Sequence, residues 1–270
     1  MYFNVNGART YCYTGGKAMD ATRPTVVFIH GVLNDHSVWI LQSRYMANHG
    51  WNVLAIDLPG HCRSDGKPPA TVEDAADFVI ALLDAAGVSK AALVGHSFGS
   101  LIAMEAAARA PERVSHLVLV GTAFPMKVTP ALLDASLHTP MKALEMVNVF
   151  SRSTLAPPPS ALGPGTWVYD ASFALGKRVL ASNAEVNLFH TGFQACDSYA
   201  NGEAAMAQVQ CPTLFLLGSM DQMTPPKAAK GLIAKAANAR VVMLPGGHHQ
   251  MTETPEPMLA ALTRFLDSKS

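Results

Sequence analysis

Apolar residues in this chain fall into short unbroken runs, separated by longer stretches in which they recur every three or four positions. The runs are Thr25–His30, Trp51–Asp57, Ala91–His96, Ser115–Gly121, Pro212–Gly218 and Arg240–Gly246. Such runs fit strands buried on both faces, as in a parallel sheet. The spacing between them predicts helices over His36–His49, Val72–Ala86, Ser97–Ala110, Pro226–Ala237 and Pro255–Leu266. The opening residues alternate instead, with Asn6-Gly7 as a hairpin turn signal. Two hairpin strands and six runs predict an α/β protein: a mostly parallel, twisted eight-stranded sheet flanked by helices and joined by right-handed crossovers.

One stretch breaks this rhythm. From Ala123 to Ala205 helical pieces and the breakers Pro157-Pro158-Pro159 and LGPG replace any buried strand. A loop of that length without structure is improbable in a compact domain. The expectation is a helical insertion over 123–205, splitting a core made of 1–122 and 206–270.

Composition narrows the function. The 270 residues hold 20 Lys+Arg and 20 Asp+Glu, so no basic excess points to nucleic acid. The four cysteines (Cys12, Cys62, Cys196, Cys211) lack metal-ligand spacing, so neither a metal nor another cofactor is expected. They read as reduced thiols. No apolar stretch reaches the roughly 18 residues of a membrane span, and no signal-peptide pattern opens the chain. The expectation is a cytoplasmic protein acting on a small molecule, away from membranes. Nothing in the sequence sets an oligomeric state.

The candidate chemistry begins at Gly95-His96-Ser97-Phe98-Gly99. A buried run leads into this G-x-S-x-G pattern and a helical pattern leads out, with glycines letting the backbone turn tightly. That corner exposes the Ser97 hydroxyl beside a helix N-terminus, where unpaired N–H groups favour negative charge. The competing reading is that Ser97 only caps the helix. A serine nucleophile also needs a base and an orienting carboxylate. The loops after the last two runs supply Asp221, in SMDQMTPP, and His248 and His249, in GHHQMTETPEP. Rival carboxylates are Glu105, two turns into the helix after the corner, and Asp197.

With His30-Gly31, the loop DLPGHCRSDG at Asp57–Gly66, the serine corner and those late loops, the chain resembles the α/β-hydrolase superfamily with a helical cap. The resemblance implies Ser97 as nucleophile, Asp221 as orienting acid and His248 as general base. His248 fits the family register, following a glycine with Glu253-Thr254-Pro255 a few residues on, and His249 is one residue out of step. It also implies an oxyanion hole from the backbone N–H groups of Val32 and Phe98, whose side chains are then free to line the acyl pocket. His30 is expected to organise its loop, and Asp35 to cap the next helix. Cys62 departs from the pattern, standing where the family carries a second glycine.

The reaction implied is cleavage of small or medium, largely apolar carboxylic esters or lactones through an acyl-enzyme. Activity is expected to fall as pH drops through about 6 to 7, where an imidazole protonates. The insertion offers Met126, Met141, Met146, Phe150, Trp167, Tyr169, Phe173, Phe189 and Phe193 as apolar lining, of which Met126, Met146, Trp167 and Phe189 are the pocket candidates. The same groups also serve carbon–carbon bond hydrolysis of vinylogous diketones, and a ligand-binding receptor with little turnover shares the fold.

Overall fold

The computed structural model describes residues 1–153 and 168–267. Asn6 and Gly7 take φ values of 52° and 86°, the two positive angles of a tight hairpin turn. They fold β1 (Tyr2–Val5) back on β2 (Ala8–Tyr13) in antiparallel register. The six apolar runs form β3 (Thr25–Ile29), β4 (Asn52–Ile56), β5 (Ala91–His96), β6 (Val114–Val120), β7 (Thr213–Gly218) and β8 (Ala239–Leu244). The eight strands make one sheet in the order β1-β2-β4-β3-β5-β6-β7-β8, with β2 antiparallel to β4 and every later pair parallel.

Helices cover both faces, which is why the runs are continuously apolar. Alternate residues of β3 show the split. Val26 and Phe28 pack with α1 (Ile40–Asn48) and α11 (Pro255–Leu266), whereas Val27 and Ile29 pack with α2 (Val72–Ala85) and α3 (Phe98–Arg109). Local chemistry starts α2 cleanly: Thr71 accepts a hydrogen bond from Asp74 N, and Glu73 and Asp74 sit in the first turn, where a helix favours negative charge.

The run expected to be buried at Arg240–Gly246 departs from the others. β8 is a sheet edge, and its Val241 and Met243 are 44% and 48% exposed. Val242 and Leu244 pack towards α11, while Val241 and Met243 on the opposite face of this last strand stay exposed.

Between β6 and β7 the described residues form α4 (Pro130–His138), α5 (Pro140–Ser151), α6 (Val168–Ala181), α7 (Leu188–Ser198) and α8 (Gly202–Gln208). Residues of α4 to α7 share an apolar cluster of their own, joined by Leu33. The last helix behaves differently: Ala205 and Met206 of α8 belong to the main core. The boundary expected between 205 and 206 thus falls inside a helix that packs on α3 and on α9 (Lys230–Lys235). The Pro157-Pro158-Pro159 and LGPG breakers lie outside the described residues. No helix among the described residues is long and apolar enough to cross a membrane.

Candidate active site

From β3 the chain passes to β4 on one side, then returns past β3 to form β5 on the other. Such a switch opens a crevice at the carboxyl ends of the two neighbouring strands. Gly31 and Val32 follow β3 there, and Ser97 follows β5. Ser97 adopts φ 54° and ψ −120°, a strained conformation for a residue with a side chain. Its side chain makes no capping hydrogen bond to α3, which removes the helix-cap reading. The flanking glycines are sterically required: a Cβ on Gly95 would lie 2.0 Å from Gly99 O, and one on Gly99 would lie 2.4 Å from Ile29 O.

Asp221 and His248 arrive from the loops after β7 and β8. His248 Nδ1 lies 2.8 Å from Asp221 Oδ2, with both side chains buried. The other carboxylate oxygen accepts from the N–H groups of Met223 (2.9 Å) and Thr224 (2.8 Å), and Thr224 Oγ1 donates to Oδ2 at 2.8 Å. Burial alone would raise the Asp221 pKa. The His248 charge and hydrogen bond, with the bonds from Thr224, outweigh it and hold the group below the ordinary carboxylate value. An ionised Asp221 keeps the proton on His248 Nδ1 and leaves Nε2 as the basic nitrogen. Gly121, at φ 54° after β6, leaves room for this ring, since a Cβ there would stand 3.1 Å from His248 Nδ1.

The neighbouring histidines do other work. His249 is buried without contact to Asp221; burial, the Arg152 charge and the nearby imidazoles push its pKa far down. His96 donates from Nε2 to His248 O at 2.9 Å, fixing the backbone that carries the imidazole. Burial, then the His248 charge, lowers the His96 pKa to about 3. His30 donates from Nδ1 to Gly31 O (2.9 Å) and accepts at Nε2 from Leu58 N (3.2 Å), which organises the loop after β3 as expected. The positioning roles of Thr224, Gly121 and His96 carry no sequence motif. The Asp-x-x-Thr spacing of a side-chain-capped turn is the one available signal.

Rival carboxylates lie elsewhere. Glu105 accepts from Tyr199 Oη (2.6 Å), Asn201 and Arg109, bracing α3 against the segment between α7 and α8. Asp197 accepts from Val128 N at 3.0 Å.

Ser97 and His248 both line two cavities that meet at Val32, Ser97, Phe193, Met223 and His248. No hydrogen bond joins Ser97 Oγ to His248 Nε2 here; such contacts are often loose in free enzymes and tighten around substrate. The larger cavity, about 250 Å³, is lined by Met126, Leu132, Met146, Phe150 and Phe193 among others. The smaller, about 40 Å³, runs towards α5 and α7 and includes Phe189. Trp167 lies outside the described residues, and Met141 is exposed. Val32 lines both cavities, but the Phe98 ring packs into the main core, so its side chain does not line the pocket. Phe98 shares that core with Leu101 and Ile102. The Val32 and Phe98 N–H groups donate to no protein acceptor among the described residues.

Beside the crevice, Asp35, His36 and Asp57 bring potential metal-ligand atoms within 4.8 Å of one another. Several of these atoms are already hydrogen-bonded. Asp57 Oδ1 accepts from His36 N and Nδ1, and Asp35 accepts from Ser37 and from Arg178 at 2.7 Å. Asp35 thereby caps the turn at His36–Trp39 as expected. Cys62 takes φ 46°, the left-handed conformation that suits a glycine, and donates to Asp35 Oδ2 at 3.4 Å. Burial and the Asp35 and Asp57 charges push its thiol up to about 12.

Known proteins share this architecture. Residues 24–255 match the alpha/beta hydrolase fold family. The pimeloyl-acyl-carrier protein methyl ester esterase of Neisseria meningitidis is 30% identical over 253 residues, 92% of this chain and 95% of that protein. A dihydrolipoyllysine-residue acetyltransferase component of the acetoin cleaving system from Cupriavidus necator is 36% identical over 121 residues, 44% of this chain, which span only 31% of that relative. The enol-lactonase from Burkholderia xenovorans LB400 superposes with a TM-score of 0.81 over 99% of this chain and 100% of its own, at 21% identity. By sequence and by fold, the chain belongs to the α/β hydrolase fold family.

Proposed function

We propose that this protein is a serine hydrolase that cleaves small or medium, largely apolar carboxylic esters or lactones through an acyl-enzyme on Ser97. The observation that carries the reading is the buried His248–Asp221 pair at 2.8 Å, whose imidazole opens into the same cavities as the strained Ser97. The esterase relative, similar over nearly its whole length, supports the reaction class.

In the reaction, Ser97 Oγ attacks the acyl carbon as its proton passes to His248 Nε2. The carbonyl oxygen becomes an oxyanion held by the Val32 and Phe98 N–H groups, each donor worth roughly 3 kcal/mol in comparable sites. Collapse expels the alkoxide, which takes the proton from His248. A water then gives its proton to the same nitrogen and attacks the acyl-enzyme; as the second oxyanion collapses, the leaving Ser97 Oγ takes that proton from His248 and the acid is released. Asp221 stays ionised throughout and steadies the imidazolium. Helices α4 to α7 act as the cap, closing the apolar side of the site.

A fluorophosphonate probe tests this directly. The wild-type protein should be labelled on Ser97, and Ser97→Ala should lose both the label and p-nitrophenyl ester hydrolysis. A folded wild-type protein left unlabelled, yet binding small ligands tightly, would replace the reading with a receptor.

A further inference from the structure

Two polar side chains of α5 that line the smaller cavity have no part in cleavage of a plain apolar ester. On α5, positions 144, 147, 148 and 151 share one helical face, and Leu144, Val147, Asn148 and Ser151 all line this cavity beside Ser97 and His248. Asn148 and Ser151 are 2% and 0% exposed, yet Asn148 Nδ2 and Ser151 Oγ have no hydrogen-bond partner among the described residues. Nearly all buried polar atoms are paired, and alanine or leucine would fill these positions without desolvating anything, as Ala143 and Leu144 do one turn earlier. Unpaired polar atoms on two residues that line a cavity are explained when an occupant supplies the partner.

The cavity restricts that occupant. A water needs roughly 10–15 Å³ on the same measure, so about 40 Å³ admits a group of about three non-hydrogen atoms. No lysine or arginine among the described residues lines it, and a carboxylate or phosphate there would be buried without a counter-ion. The amide of Asn148 and the hydroxyl of Ser151 both donate. The site is also in register with the reacting groups, because Ser151 O accepts from His248 N at 2.8 Å. Across Ser97 lies the 250 Å³ apolar cavity.

We propose that Asn148 and Ser151 form a specificity subsite for a short, uncharged, hydrogen-bond-accepting group. The preferred substrate is then an ester with such a group on one side of the scissile bond and an apolar group on the other. This inference rests on Ser97 being the acyl-enzyme nucleophile.

The test compares p-nitrophenyl methoxyacetate with p-nitrophenyl butyrate, equal in length and differing by one ether oxygen in place of a methylene. Each kcat/KM is divided by the rate of hydroxide hydrolysis to cancel intrinsic reactivity. Wild type should favour the methoxyacetate about tenfold, the scale of one or two hydrogen bonds. Asn148→Leu, close in shape, and Ser151→Ala should each lower the ratio several-fold, and the double variant should bring it near one. Val149→Ala, on the exposed side of α5, should keep the wild-type ratio. The wild-type ratio decides the matter even where a variant fails to fold. A wild type that hydrolyses both esters with a ratio near one overturns the subsite and leaves the esterase reading standing. Folded variants that keep a tenfold ratio do the same, and a fluorophosphonate-labelled enzyme inert to both esters overturns the subsite while leaving only Ser97 as a reactive nucleophile. An enzyme neither labelled nor active overturns both.

Discussion

In the proposed mechanism Asp221 sets which nitrogen of His248 is basic, so replacing its charge while keeping its shape isolates that role. Asp221→Asn removes the ionised acceptor and no longer holds the proton on Nδ1; kcat on a p-nitrophenyl ester should fall by roughly 10³- to 10⁴-fold. Circular dichroism should remain that of the wild type, and a loss under tenfold would assign the orienting role elsewhere. Cys62 makes a contrasting case: a thiol near the site whose environment suppresses reactivity. With its pKa pushed up to about 12, almost none is thiolate at pH 8, and alkylation by iodoacetamide should run about a hundredfold or more below a free thiol. Labelling of Cys62 at the rate of glutathione would contradict the buried contact with Asp35. The sequence singles out Ser97, Asp221 and His248 because each stands just past an apolar run, where the chain must turn and the sheet edge opens. Asn148 and Ser151 are not singled out, because an amide and a hydroxyl in a helix carry no signal until packing shows which face meets the cavity. The Phe98 ring was misread for the same reason: sequence order places its backbone, and packing places its side chain.

The loop that carries His248 is held by the end of α5 as well as by β8 and His96. His248 N donates to Ser151 O, while Glu253 Oε2 accepts from Gly247 N (3.1 Å), Ser153 N (3.1 Å) and Ser153 Oγ (2.5 Å). Arg152 lies 4.0 Å from the same carboxylate, with both side chains almost fully buried. Glu253→Gln keeps the shape but neutralises one member of a buried ion pair, which should cost about 3 kcal/mol of stability. Urea unfolding measures this, and a shift under about 0.5 kcal/mol would make the carboxylate dispensable. Gly247 belongs to the same junction, since a Cβ there would stand 2.7 Å from Ser151 O. At this scale the sequence located β3 to β8 to within a residue or two, because parallel strands covered on both faces must be apolar throughout. It misjudged the burial of β8, whose composition resembles its neighbours', since edge position follows from topology and not from the run itself. The insertion was legible as helical, but its division was not: α8 is short and alanine-rich, and only packing on α3 and α9 assigns it to the main core.

Across the whole molecule, buried neutral imidazoles tie stability to pH. His30, His61, His96 and His249 are all buried, and desolvation is the first cause depressing each, to about 4 at His61 and about 3 at His96. An unfolded chain protonates its histidines near pH 6.5. Below that pH the unfolded state binds protons that the folded state refuses, so stability falls as pH falls, until the folded pKa is reached. Each such histidine contributes a slope of about 1.4 kcal/mol per pH unit. Depressed carboxylates such as Asp35 and Asp221 act lower down: their contribution is complete above about pH 4 and is lost only as pH falls through their folded values. The histidine effect therefore comes first on acidification. With a domain stability of roughly 5–15 kcal/mol, two or three of these groups consume much of it by pH 5. Urea midpoints should be level from pH 8 to about 6.5 and then drop steeply towards pH 5, well before carboxylates titrate. His61→Gln, which removes one imidazole buried 5.2 Å from His30, should flatten that slope by about 1.4 kcal/mol per pH unit. Midpoints that stay level down to pH 4.5 would mean that these rings take up protons in place, with solvent reaching a layer of the sheet edge that the packing closes off.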